Sequence, residues 1–175
     1  MDMAGILKQC GALKFGKFTL ASGAESSYYI DIKKASTDPK VLKKIAEEMA
    51  SVLKKNKIKA DRIAGVVLGS IPLAAALSLE TGIPFVMVRK EKKDHGTTKL
   101  IEGDLNSNDK VIVVEDVITS AGSSISAIRT LRENGATVLN VISVIDRESG
   151  GAEALKEIGV TLTPLVRASE ILKGN

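Results

Sequence analysis

Residues 111–124 read Val111-Ile-Val-Val-Glu-Asp-Val-Ile-Thr-Ser-Ala-Gly-Ser-Ser124, and the fold class follows largely from them. The first four residues are β-branched, a run typical of a strand buried on both faces of a parallel sheet. Small and hydroxylic residues follow, and then an apolar pattern that predicts a helix over residues 123–134. A buried strand that leads through a short loop into a helix is the repeating unit of α/β folds. The stretch therefore predicts an α/β protein with a doubly wound parallel sheet.

Two acids, Glu115 and Asp116, stand at the predicted carboxyl end of this strand, where open α/β sheets bind their ligands. The loop over residues 119–124 follows. Free backbone N–H groups at a helix start, with Gly122 allowing close approach and hydroxyl groups adding donors, form a cradle for phosphate. Two carboxylates would repel phosphate, so we expect them to hold another part of the same ligand. Ribose hydroxyl groups fit, because a carboxylate accepts hydrogen bonds from paired OH groups.

Length and composition limit the classes of protein to consider. The 175 residues fit a single domain, residues 1–175, and 44% hydrophobic with 26% charged residues is ordinary for a globular protein. One cysteine, Cys10, excludes an internal disulfide. The formal charge is +4, but aromatic residues make up only 3%, which leaves little for stacking on single-stranded nucleic acid. No segment is long and apolar enough to span a bilayer. We therefore expect a cytoplasmic protein that binds a small anion, with no nucleic acid and no membrane as partners.

Strand and helix patterns alternate along most of the chain, as in a doubly wound sheet. The predicted strands cover residues 63–68, 85–88, 111–114 and 138–145, and the predicted helices cover residues 39–55, 72–81, 123–134 and 152–158. Thr37 or Asp38 is the expected cap of the first of these helices. Residues 1–37, with a helix over residues 4–13 and strands at 18–20 and 28–32, do not alternate in this way. We expect them to form a small N-terminal hood over the carboxyl edge of the sheet, with residues 38–175 as the α/β core.

The motif consists of four apolar residues, two acids, two apolar residues, a threonine and a loop of small residues. This order resembles the signature with which type I phosphoribosyltransferases bind phosphoribosyl pyrophosphate (PRPP). The resemblance implies that Glu115 and Asp116 take part in catalysis. It also implies PRPP contacts along one continuous run: Glu115, Asp116, Val117, Ile118, Thr119, Ser120, Ala121, Gly122 and Ser123. The Gly69-Ser70 loop after an earlier strand resembles the family's pyrophosphate loop, with Ser70 where a second glycine is common.

A charged segment, Arg89-Lys-Glu-Lys-Lys-Asp-His-Gly96, resembles the catalytic loop of the orotate phosphoribosyltransferases in particular. It opens a polar stretch, residues 91–109, that is too long for an ordinary connection and is expected to be a mobile loop or partly disordered. Cations aimed at a leaving pyrophosphate stabilise the transition state, and a lid can bring them in and expel water. The resemblance assigns PRPP binding to four residues of this segment, of which the last two are also catalytic: Arg89, Lys90, Lys93 and His95.

The base would be bound by other segments. Residues 15–23 and 27–31 resemble the family's hood, where an aromatic ring stacks on the pyrimidine. Either Tyr28 or Tyr29 would do so, and the other would be strand core, because neighbouring residues in a strand face opposite ways. Ala21 stands where some members carry a lysine that contacts PRPP, which leaves Lys33 as a candidate substitute.

Arg147 follows a predicted strand at the point where the family places an arginine against orotate, and a guanidinium can pair bidentately with a carboxylate. Thr119 completes the implied orotate contacts. The resemblance thus implies transfer of the phosphoribosyl group from PRPP to orotate in pyrimidine biosynthesis, with Mg²⁺ as cofactor. No direct protein ligand to the metal is expected, because Mg²⁺ retains water and substrate oxygens. In the family the charged loop reaches into the neighbouring subunit's site, which implies a homodimer with shared loops.

Two alternatives stay open at this stage. One is a phosphoribosyltransferase for another nucleobase, which base-dependent release of pyrophosphate would distinguish. The other is a non-catalytic PRPP-binding regulator that binds nucleic acid. The charged loop with Lys93 and His95 argues against the regulator, as does the lack of an additional DNA-binding segment.

Overall fold

The computed structural model of the chain describes residues 2–19, 25–89 and 100–173. The helices within these ranges are α1 (Met3–Gln9), α2 (Ile32–Ser36), α3 (Pro39–Lys55), α4 (Ile71–Thr81), α5 (Gly122–Glu133), α6 (Gly151–Glu157) and α7 (Ala168–Lys173). The strands are β1 (Leu13–Thr19), β2 (Glu25–Ile30), β3 (Arg62–Val66), β4 (Phe85–Val88), β5 (Ile101–Glu102), β6 (Lys110–Ile118), β7 (Thr137–Asp146) and β8 (Thr161–Arg167). No helix in these ranges is long and apolar enough to cross a membrane.

Six strands form the central sheet, in the order β5-β4-β3-β6-β7-β8. All neighbours in it pair in parallel except β5, which runs antiparallel to β4 at one edge. The chain moves outward from β3 to β4 and then returns to the other side of β3 to form β6. The prediction of a doubly wound, mostly parallel sheet is therefore confirmed, and its topological switch point lies between β3 and β6.

Helices cover both faces of the sheet, and β6 supplies side chains to both layers. Ile112 and Val114 belong to the core under α1, α2, α3 and α4. Val111 and Val113 belong to the core under α5 and α6. All four side chains are buried, as the β-branched run predicts for a central strand.

The N-terminal hood consists of α1, the antiparallel β1–β2 hairpin and α2, and it shares one apolar core with α3. The predicted helix over residues 4–13 extends too far. The helix ends at Gln9, Gly11 adopts a left-handed φ of 73°, and Leu13 already pairs with Ile30. The predicted strand at 28–32 starts and ends too late, because β2 covers Glu25–Ile30 and Asp31 caps α2 by accepting a hydrogen bond from the Lys34 amide.

Other elements differ from the sequence prediction for local reasons. Asp38, rather than Thr37, caps α3, accepting hydrogen bonds from the amides of Lys40 and Val41. The sequence pattern missed β8, which contains Pro164 and lies at the edge of the sheet, where proline is tolerated. It also missed β5, which is only two residues long and lies inside the predicted loop over residues 91–109.

Candidate active site

The candidate site lies at the carboxyl ends of β3 and β6, where open α/β sheets form their ligand crevice. Ligands of open α/β sheets bind at such switch points, because the loops from the two strands diverge there. The loop after β3 is in direct contact with the end of β6, since the Asp116 carboxylate packs on Gly69. A Cβ atom built on Gly69 would lie 2.8 Å from Cγ of Asp116 and even closer to one carboxylate oxygen. The predicted pyrophosphate loop and the predicted ribose-binding acid therefore meet at one point.

The two acids lie within β6, not beyond its end. The predicted end at Val114 is wrong, because pairing with β7 continues through Glu115 opposite Ser143 to Ile118 opposite Asp146. Neighbouring side chains of a strand point to opposite faces. The two carboxylates are accordingly held in different surroundings.

Glu115 is only 6% exposed, and its carboxylate accepts a 2.7 Å hydrogen bond from the Ser124 hydroxyl in α5. Asp116 is partly exposed on the other face, where one of its oxygens accepts a 2.8 Å hydrogen bond from the Val117 amide. Asp116 is thus the acid that borders the crevice, and Glu115 connects β6 to the first turn of α5.

The start of α5 has the features of an anion site. Ala121 precedes it with a left-handed φ of 61°, a conformation that strains a residue with a side chain. Among the described residues no side chain caps the helix start. Thr119, Ser120, Gly122 and Ser123 are exposed, and the nearest atom to a Cβ built on Gly122 would be the Ser120 hydroxyl at 4.0 Å. The positive end of the helix dipole and its first-turn N–H groups are therefore open to a phosphate.

The serine that replaces a second glycine in the other loop does not obstruct it. Ser70 is fully buried, and its hydroxyl donates a 2.6 Å hydrogen bond to the Val66 carbonyl and accepts one of 2.7 Å from the Val66 amide. These two hydrogen bonds attach the loop to the end of β3 on its buried side. The Ser70 side chain is consequently turned away from solvent and does not obstruct the loop.

Replacing Gly69 with Ala tests the contact between this loop and Asp116. The new Cβ would overlap the Asp116 carboxylate, so the acid or the loop must move. We expect turnover to fall by roughly tenfold or more, since a displacement of about 1 Å in a catalytic geometry can lower rates by up to about 10²-fold. Steady-state kinetics and thermal unfolding of the same preparation would measure this. Unchanged kinetics in a folded variant would contradict the proposed importance of the contact.

A second pair of predicted residues comes together beside the end of β7. The Arg147 guanidinium lies over the Tyr28 ring, with its central carbon 4.9 Å from the ring centroid. Tyr28 is 8% exposed, whereas Tyr29 is 42% exposed and packs on Phe18. The hood therefore covers this edge with Tyr28, and of the two tyrosines only Tyr28 contacts Arg147.

The loop that carries Arg147 is attached to the end of β6. The Arg147 amide donates a 2.9 Å hydrogen bond to the Ile118 carbonyl. Gly151 lies so close to the Thr119 carbonyl that a side chain would overlap it. Glu148 fixes the other side of the loop by accepting a 2.6 Å hydrogen bond from the Ser169 amide. Sequence reasoning missed Gly151, and the paired glycines at 150 and 151 were the available signal.

Comparison with known proteins identifies the family to which this chain belongs. A model of the phosphoribosyl transferase domain matches residues 33–165. An orotate phosphoribosyltransferase from Methanosarcina mazei is 53% identical over 172 residues, which is 98% of this chain and 91% of the relative. The chain belongs to the orotate phosphoribosyltransferase family.

Solved structures agree with this membership of the phosphoribosyltransferase family. The orotate phosphoribosyltransferase of Aeropyrum pernix superposes with a TM-score of 0.88 at 35% identity, covering 98% of this chain and 97% of that one. The enzyme of Mycobacterium tuberculosis H37Rv in complex with PRPP gives a TM-score of 0.80 at 28% identity, covering 98% and 99%.

For a phosphoribosyltransferase, the position of Arg89 is informative. It follows β4 next to the predicted pyrophosphate loop, because the Val67 amide donates a 3.0 Å hydrogen bond to the Val88 carbonyl. One guanidinium nitrogen of Arg89 lies 3.4 Å from a carboxylate oxygen of Glu102 in β5. Sequence reasoning did not single out Glu102, because it lies 13 positions after Arg89 and no local pattern joins the two residues.

Several predicted residues lie outside the described ranges: Ala21, Lys90, Lys93 and His95. Lys33, the candidate substitute for the missing lysine, lies in α2 with an exposed side chain. The described part of the chain has no group of three or more His, Cys, Asp or Glu side chains placed to hold a metal ion. The end of the predicted mobile loop is structured, with Asp109 accepting a 2.9 Å hydrogen bond from the Asn106 amide and lying 3.5 Å from the Arg62 guanidinium.

Proposed function

We propose that this protein transfers the 5-phosphoribosyl group from PRPP to orotate, producing orotidine 5′-monophosphate and pyrophosphate in cytoplasmic pyrimidine (UMP) biosynthesis. The observation that carries the proposal is the contact of the Asp116 carboxylate with Gly69 at the switch point, which supports a shared site of the acid and the two loops proposed to bind phosphate groups. Membership of the family supports the choice of reaction.

Each part of the crevice has a role in this proposal. The start of α5 binds the 5′-phosphate, because its N–H groups and dipole favour an anion. Asp116 accepts hydrogen bonds from the ribose hydroxyl groups and opposes the positive charge that develops on the ribose. Glu115 holds the cradle in place through Ser124. The Gly69 loop and Arg89 border the place of the leaving pyrophosphate, and Lys93 and His95 are proposed to add positive charge there.

The pair of Arg147 and Tyr28 is proposed as the base site. Orotate is a planar anion, so an aromatic ring and a guanidinium are the complementary groups. The attachment of Arg147 to Ile118 and of Gly151 to Thr119 keeps this pair beside the ribose site. The proposed reaction then has the base nitrogen attack the ribose carbon as the pyrophosphate leaves.

We also propose that Mg²⁺ accompanies PRPP. The crevice is bordered by the Asp116 carboxylate and the Thr119 and Ser120 hydroxyl groups, and oxygen atoms are the ligands that Mg²⁺ prefers. The ion would be held mainly by the substrate, with these oxygens acting on its water shell, and it would supply positive charge to the departing pyrophosphate.

A homodimer with shared loops belongs to the same proposal. Helix α4 is apolar on nearly all sides, a pattern typical of a helix with no face in water. Its outer side nevertheless presents Leu79, which is 89% exposed, and Leu68 just before the helix is 72% exposed. We propose that a second copy of the chain covers this side of α4 and these two exposed apolar side chains.

The proposed reaction is tested by following orotate absorbance with PRPP and Mg²⁺. Loss of orotate together with release of pyrophosphate is the expected result, and uracil, adenine and guanine serve as control bases. Turnover with one of those bases in place of orotate would favour a sibling transferase. Binding of PRPP without turnover of any base would favour the regulatory alternative.

Replacing Arg147 with Ala should weaken orotate binding selectively. The orotate carboxylate would lose its charge partner, for which we expect about 2 kcal/mol, or roughly 30-fold in the dissociation constant. Binding of PRPP should barely change, because Arg147 lies on the base side. Isothermal calorimetry with each ligand measures both, and thermal unfolding controls for the lost contact with Tyr28. Loss of PRPP affinity with orotate affinity retained would show that the assignment is wrong.

A further inference from the structure

The pairing of Arg89 with Glu102 has a particular geometry. Strand β5 runs antiparallel to β4, with Glu102 opposite Met87 and Ile101 opposite Val88. The Arg89 amide donates a 2.8 Å hydrogen bond to the Leu100 carbonyl, which continues this ladder by one bond. The backbone on both sides of the pair is thus fixed, and the Glu102 carboxylate is held within reach of the guanidinium.

The pair is close enough to interact but too exposed to be strong. The nearest nitrogen and oxygen are 3.4 Å apart, and the side chains are 32% and 35% exposed. Ion pairs of this kind contribute little, because water and salt screen them. An anion with a higher charge can therefore replace the carboxylate on Arg89.

Pyrophosphate is such an anion. Carboxylate and phosphate oxygens accept hydrogen bonds from the same N–H donors of a guanidinium. The Arg89 side chain therefore cannot use all its donors for Glu102 and for a phosphate group at the same time. Arg89 lies beside the pyrophosphate loop, because Val67 is hydrogen-bonded to Val88. The guanidinium that pairs with Glu102 therefore belongs to a residue whose backbone lies directly beside the loop proposed to hold the leaving pyrophosphate.

We propose that Glu102 is a positioning residue that competes with pyrophosphate for Arg89. The Glu102 carboxylate pairs with the Arg89 guanidinium in the free enzyme. The pair breaks when PRPP binds and forms again when pyrophosphate leaves. Glu102 thereby weakens pyrophosphate binding and assists product release. This inference rests on the proposed function, because it takes pyrophosphate as the leaving group.

The test is Glu102→Gln, which keeps the shape of the side chain and removes its charge. We expect the dissociation constant of pyrophosphate, measured by calorimetry at fixed Mg²⁺ and ionic strength, to fall about two- to fivefold, the range for a partly exposed ion pair. The KM for PRPP should fall by a similar factor, and the KM for orotate should stay unchanged. Glu133→Gln is the matched control, because it removes the same charge at the far end of α5, away from the crevice.

A double-mutant cycle with Arg89→Gln separates competition from a general change in charge. The gain from Glu102→Gln should disappear when Arg89 is absent. Glu102→Asp, which withdraws the carboxylate by one methylene, should give a smaller gain in the same direction and provides a second variant if the first folds poorly. Unchanged or weaker pyrophosphate binding in these variants overturns the inference, as does an equal gain without Arg89. A wild-type protein that binds pyrophosphate but consumes no orotate would instead contradict the proposed function.

Discussion

Asp116→Asn lowers turnover by about 10²- to 10³-fold, the range found when one preorganised electrostatic group is removed from an active site. Asparagine has nearly the same shape but does not carry the negative charge that opposes the charge developing on the ribose. The melting temperature should change little, because Asp116 is partly exposed and the amide oxygen of asparagine can also accept the hydrogen bond from the adjacent Val117 amide. Single-turnover kinetics with PRPP and orotate measure the chemical step directly.

Glu115→Gln is the informative comparison. Glu115 is buried and bonded to Ser124, so its loss should damage both activity and stability. We therefore expect Asp116→Asn to lower mainly turnover, and Glu115→Gln to lower both turnover and stability. Near-normal turnover in both variants, with folding intact, would exclude the proposed ribose role.

Lys93→Ala should bind PRPP but turn it over about 10²-fold more slowly, because the loop's charge is needed most when pyrophosphate leaves. Lys93 lies outside the described residues, so its contribution in trans rests on the family resemblance. Mixing Lys93→Ala with Asp116→Asn under subunit exchange tests that contribution. A mixed dimer with shared loops has one site in which both Lys93 and Asp116 are intact.

Activity should therefore reappear in the mixture, approaching one good site per mixed dimer in a symmetric two-site assembly. Each variant incubated alone serves as the control for exchange without complementation. If Lys93 acts within its own subunit, every site keeps one defect. Isolated mixed dimers that are as inactive as their parents would thus exclude sharing of the loop, while leaving the PRPP chemistry untouched.

Much of the site could be predicted from local sequence. The acids, the small loop and the following helix are contiguous, so their order alone indicates a phosphate and ribose site. The choice between Tyr28 and Tyr29 could not be made this way. It depends on the pairing of β1 with β2, in which Phe15 lies opposite Tyr28 and Lys14 opposite Tyr29, and on which face of that hairpin meets Arg147.

The length of β6 could not be predicted from local sequence either. The uninterrupted apolar run stops at Val114, yet the strand continues to Ile118 because β7 pairs with Glu115, Val117 and Ile118. Pairing with a neighbour thereby assigned Glu115 and Asp116 to opposite faces of the sheet. The short strand β5 has the same explanation, since its two residues form a strand only by pairing with β4.

By itself, the sequence determined the α/β class and the family, and it predicted the phosphate cradle, because these depend on residues that are neighbours in the chain. Only the tertiary structure decided that Asp116 packs on Gly69, that Arg147 covers Tyr28 and that Glu102 reaches Arg89. Each of these contacts joins segments that are separate along the chain. Their distances follow from strand order and register, which the sheet sets as a whole and which no local pattern of residues contains.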